Sequence, residues 1–187
     1  MLKNVLLATA CVIGLSTMAP LSAAFAAEET TALSADAQAA LDAQVLAVEA
    51  LVIQYQNDPD GLQAAVEALV ATANDPAVSA NAVLIVFDNS QNPQIQQILA
   101  SNGELKAAAG RGLGAAIASI GLTNPDLAAQ MSASVAASGD SVMVSEVQSG
   151  SDTKTASLRQ EQQRNQNANN DQTQGDSTPE KNLSPNG

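Results

Sequence analysis

A chain of 187 residues with a net charge of −12 carries one cysteine, Cys11, and no histidine or tryptophan. Cys11 falls in an N-terminal stretch that reads as a removable leader. The remaining chain then has no thiol nucleophile, no imidazole base and no nitrogen or sulfur metal ligand, which excludes triad hydrolysis and zinc catalysis. The length suits one ordinary domain, and the 45% apolar residues are led by alanine and include only three aromatics.

In chain order, the first element is the leader. Lys3 supplies a positive start, residues 5–20 form an uncharged, largely apolar run, and Ala24-Phe25-Ala26 fits a small-x-small cleavage site. Cleavage after Ala26 leaves a chain that begins Ala27-Glu28-Glu29 and predicts a periplasmic or secreted protein. Ala8-Thr9-Ala10-Cys11 imitates a lipidation site poorly, because the apolar segment before the cysteine is short and the run continues past it. No later segment is long and apolar enough to span a bilayer, so no stable membrane insertion is expected after cleavage. Residues 1–26 are therefore read as a signal peptide, 27–149 as a helical domain and 150–187 as a disordered polar tail.

Nearly all the charge belongs to the domain, where fourteen acids face only Lys106 and Arg111. Such a field repels phosphate backbones and anionic lipid surfaces, so neither nucleic acid nor membrane is an expected partner.

Within the domain, four Asn/Asp-Pro steps mark helix starts: Asp58-Pro59, Asp75-Pro76, Asn92-Pro93 and Asn124-Pro125. The side-chain oxygen can accept an orphan backbone N–H, while proline at the first helical position gives up a donor that had no intrahelical partner. Pro59, Pro76 and Pro93 are 17 residues apart, so two units make a 34-residue hairpin of the kind found in helical solenoids. Pro125 breaks that period, falling 32 residues after Pro93.

The stripes between these marks have helical spacing. Leu41, Val45, Val48, Val52 and Tyr55 line a first helix, and Leu62, Val66, Leu69 and Ala73 a second. Residues 83–87, Val-Leu-Ile-Val-Phe, are β-branched enough to pass as a strand, but the proline-capped start predicts a helix buried all round. Leu105, Ala109, Leu113, Ala116 and Ile120 line another, Leu127, Met131 and Val135 the next, and residues 140–147 suit a short last helix. From Ser151 the composition turns to Gln, Asn, Asp, Ser and Thr, too polar to offset the entropy of ordering.

Two motifs invite a chemical reading. Gly110-Arg111-Gly112-Leu113-Gly114 has neither Walker nor Rossmann spacing and follows no strand, so it is not a phosphate loop. Glycines inside a helix point instead to close packing, and Gly110, Leu113 and Gly114 are the predicted contact with another helix, in this chain or in a partner. In the stretch of residues 56–67, Asp58, Asp60, Gly61 and Glu67 fall at four places of a calcium-binding EF-hand loop. Gln56 at the first ligand place and Pro59 at the fourth spoil the match, so no metal is assigned. Arg111 is expected to pair with an acid, Glu104 or another brought close by folding, rather than with an anionic ligand.

The reading is an all-α protein of about five to seven amphipathic helices, a small bundle or short solenoid-like array, with a disordered C-terminal tail. It is an exported, non-catalytic module without cofactor that binds an unidentified protein partner. A small-ligand binder or enzyme with a pocket between hairpins, and a self-associating surface or matrix component, remain as alternatives.

Overall fold

The computed structural model describes residues 34–173, with side chains to residue 166. The leader, Cys11, the cleavage site after Ala26 and residues 174–187 lie outside the described residues. Seven helices account for the described chain: α1 (Ala35–Gln54), α2 (Pro59–Ala71), α3 (Pro76–Asn89), α4 (Pro93–Ser101), α5 (Glu104–Gly121), α6 (Pro125–Ser138) and α7 (Ser141–Thr173). The fold is all-α, as expected.

The local chemistry of the corners explains where the helices begin. Pro59, Pro76, Pro93 and Pro125 each open a helix, and the preceding residue caps it. Asp58 Oδ1 accepts from the Gly61 amide at 2.9 Å, Asp75 Oδ1 from Ala77 and Val78 at 3.1 Å, Asn92 Oδ1 from Gln94 at 3.1 Å and Asn124 Oδ1 from Leu127 at 3.1 Å. Ser34 and Asp140 do the same for α1 and α7. At the other end of α6, Gly139 adopts φ 73°, the left-handed conformation that releases a helix and that glycine enters without strain.

Cross-helix pairs give the directions. Asn102 Nδ2 donates to the Gln56 carbonyl at 3.1 Å and Arg111 Nε to Gln63 Oε1 at 3.1 Å, so α2 and α5 ascend together. Lys106 reaches Asp140 and Arg111 reaches Glu146, at 3.1 Å, so α5 and α7 also run parallel. On the other side, Ser79 donates to Gln44 at 3.1 Å, while Ser90 and Asn92 donate to Glu49 at 3.2 and 3.0 Å, which aligns α3 with α1. The helices thus form two layers, α1, α3 and α6 against α2, α5 and α7, built from hairpins as a short solenoid-like array. The core between them holds Val48, Val52, Leu62, Val66, Val83, Leu113 and Met131, with Phe87 the one buried ring among the described residues.

Three details differ from the sequence reading. Pro93 opens a helix of only nine residues, α4, inserted between α3 and α5, so the 17-residue period does not continue as a repeat. Ile85 is exposed while Val83, Leu84, Val86 and Phe87 are buried, so α3 is not covered all round. The largest correction is C-terminal. α7 is one helix of 33 residues that runs through residues 150–173, where disorder is expected from composition. The inward-facing residues there sit at helical spacing: Met143, Val147 and Gly150 are buried, Leu158 is half-buried, and Lys154, also half-buried, pairs with Glu67. Once that face is anchored, each further residue adds one hydrogen bond at little cost, and Gln, Arg and Glu are good helix formers.

Candidate interaction surface

The glycines of α5 form a seam inside the chain. A β-carbon placed on Gly110 would lie 2.7 Å from Glu146 Cβ and 3.3 Å from Met143 Sδ, both on α7. On Gly114 it would lie 2.8 Å from the Ser151 nitrogen and against the Val147 carbonyl oxygen. Gly112 faces the other way, toward Val66 Cβ at 3.1 Å and the Gln63 carbonyl of α2. From the opposite helix, Gly150 of α7 presses on the backbone of Arg111. Small residues let the two backbones touch, which accounts for glycine in a helix interior. Gly110 and Gly114 meet α7 of the same chain and Leu113 is fully buried, so this face packs internally and offers no open surface for a partner.

The cations near the seam are spent on structure. Lys106 bridges Asp88, at 3.0 Å, and Asp140. Burial alone pulls its amine down, but the hydrogen bonds to Asp140 and Asp88 outweigh that and leave it above its ordinary value. The hydrogen bond from Lys106, then that from the Met143 amide, hold the Asp140 carboxyl below its ordinary value. Arg111 pairs with Glu146 rather than Glu104, and Lys154 with Glu67 at 2.8 Å.

The calcium-loop resemblance dissolves in the same geometry. The chain is already helical from Pro59, Asp58 caps Gly61, and Glu67 is drawn to α7 by Lys154. Asp58, Asp60 and Glu67 are not gathered around a point. Among the described residues, no group of three or more His, Cys, Asp or Glu side chains is placed to hold a metal ion.

A groove of about 300 Å³ lies at the end of α3, lined by Val86, Phe87, Asp88, Ser90, Gln96 and Leu99 among others. Three of its polar side chains already have partners. Ser90 donates to Glu49, Gln96 Nε2 donates to the Ser90 carbonyl at 2.7 Å, and Asp88 accepts from Lys106.

The open surface is on α1. Its inner side buries Val48 and Val52 and half-buries Leu41, Val45, Leu51 and Tyr55. Its outer side carries Ala39, Ala43, Leu46, Ala50 and Ile53, stepping by 4, 3, 4 and 3, and all five are exposed. Leu46 is 66% exposed and Ile53 37%. α1 packs chiefly against α2, α3 and α4, at the edge of its layer, and the exposure of this side shows that nothing in the described chain covers it. Asp36 and Asp42 border the stripe, with Gln38 donating to Asp42 at 2.8 Å. The inner stripe of α1 drew attention in the sequence, and the outer one escaped it. Counting the same 4-and-3 steps from Ala39 is the signal that finds it.

Other exposed apolar residues, Leu122 after α5 and Val142 and Val144 in α7, do not fall into a run at helical spacing. Among the described residues, no helix is long and apolar enough to cross a membrane. No family model, curated protein or solved structure matches the chain significantly.

Proposed function

We propose that this protein is an exported, non-catalytic helical module that works by protein–protein contact in the cell envelope or outside the cell. The outer face of α1 is its contact surface. One observation carries this reading: α1 is apolar on two opposite sides, and among the described residues only one of them is covered. Apolar helix faces are normally buried, and terminal helices of hairpin arrays are normally polar outside, so an open stripe bordered by acids marks a place for a partner. Export is supported by the leader-like pattern at residues 1–26. The ligand-binding alternative draws little support from the groove near Ser90, where Ser90, Gln96 and Asp88 are engaged within the chain.

The test places a photo-activated cross-linking residue at position 46 in the producing cell, with position 129 on α6 as an exposed control. A discrete adduct from position 46 in the envelope or medium fraction, absent from position 129, is the expected result. A folded, exported protein with no adduct from position 46 overturns the contact reading. A chain that stays inside the cell with its leader attached overturns the export reading.

A further inference from the structure

We infer that the outer face of α1 accepts a partner helix whose own small-aliphatic stripe is bordered by lysine or arginine. This rests on the proposed role of α1 as the contact face, and it names the chemistry of the occupant. The stripe from Ala39 to Ile53 covers two heptads, roughly 21 Å of helix at about 1.5 Å per residue. Alanines at 39, 43 and 50 let a second helix axis come close, and Leu46 and Ile53 project between them as knobs. A partner must be narrow, helical and apolar along one line to match this.

Charge selects among such partners. α1 carries Asp36, Asp42 and Glu49 and no basic residue. Lys106, Arg111 and Lys154 each already pair with an acid of the body, and none of them neutralises the border of the stripe. The occupant that complements this border is cationic, and complementarity of this kind chiefly sets specificity and the rate of association. A second copy of the chain is a poor occupant. Paired antiparallel about Leu46, it would bring Asp42 of one copy beside the Glu49 edge of the other. Paired parallel, it would set Asp36 against Asp36, with no basic residue on either α1 to offset the pair. Each copy also adds a net charge of −12.

The experiment uses the purified chain and two synthetic amphipathic helices of about 20 residues, long enough to populate a helix. Both have leucine and alanine along one stripe. One is bordered by lysine and the other by glutamate. Binding is read by fluorescence anisotropy at two salt concentrations, and self-association by sedimentation. The lysine-bordered helix is expected to bind at least about tenfold more tightly than the glutamate-bordered one. Leu46→Asp is expected to weaken that binding about tenfold or more while helicity by circular dichroism is unchanged, since Leu46 is exposed. Asp36→Asn with Asp42→Asn is expected to weaken it several-fold and to flatten its salt dependence.

Equal binding of both helices overturns the inference, and so does lysine-helix binding that ignores Leu46→Asp, which would mean diffuse attraction to an acidic body. A dimer of the chain that Leu46→Asp dissolves makes a second copy the occupant and overturns it too. If neither helix binds but position 46 still yields a cross-linked adduct, the basic-helix inference falls and the contact reading stands. If both experiments fail, both readings fall.

Discussion

Gly114 of α5 lies against the carbonyl of Val147 on α7, with no room for a methyl group between the two backbones. Alanine is intrinsically the better helix residue, by roughly 0.5–1 kcal/mol. Here the clash is with backbone, so Gly114→Ala is expected to lower the unfolding free energy by a net of about 1–3 kcal/mol, read from urea denaturation. Gly103→Ala meets nothing within 4 Å and should be neutral or slightly stabilising. Equal effects of the two substitutions would contradict the seam.

The pair of Lys106 with Asp140 ties α5 to the cap of α7 and should be visible in the pH dependence of stability. The folded Asp140 carboxyl sits below the ordinary 3.8, so its contribution is complete above that value and is lost as pH falls through the folded value. Lys106 sits above the ordinary 10.5, so its contribution is complete below that value and is lost as pH rises through the folded one. Asp140→Asn keeps a capping oxygen but loses the charge. It is expected to cost about 0.5–1 kcal/mol near neutrality, discounted because both side chains are a quarter exposed. In urea titrations the gap between the variant and the parent should close as the solution is acidified through the folded Asp140 value.

The two sides of α1 and α5 should separate sharply under truncation. Leu113 is fully buried, and Leu113→Ala is expected to cost about 2–5 kcal/mol. Leu46→Ala, on the open side of α1, should stay within about 0.5 kcal/mol of the parent by the same urea measurement. A large loss at Leu46 would mean that the fold itself covers this face.

Amide hydrogen exchange should grade along α7. Protection comparable to that of α5 is expected from Met143 to Leu158, where the helix is buried or half-buried at each turn. It should decline steadily beyond Arg159, because residues 159–166 are exposed and touch no other element closely enough to be covered. A uniform high protection to Thr173 would show that something holds the far half.

What the sequence made readable was local. An Asn or Asp before proline determines its own helix start by bonds spanning two or three residues, so all four corners could be placed from the letters alone. The inner stripes of α1, α5 and α6 were equally readable, because a core face repeats at one period, whereas α2 ends at Ala71, before the Ala73 of its expected stripe, and buries Val70 in place of Leu69. The glycines of α5 announced a close contact without naming it. The choice between α7 and a foreign helix depended on residues 143–151, which lie more than thirty positions away. Composition misled about residues 150–173, because counting apolar residues ignores where they fall, and Gly150 contributes by lacking a side chain. The outer stripe of α1 was hidden by alanine, which suits a helix on either side and so carries little signal about which side is covered.

The seam between α5 and α7 also decides how this protein can change over generations. At Gly114 and Gly150 the obstacle to a larger side chain is the peptide group of the opposing helix, which every amino acid shares. No replacement across the contact can make room, so a harmful mutation here has no compensating neighbour. Descendants can vary widely at the solvent-facing positions of the same helices while these two stay as they are or the two helices part together.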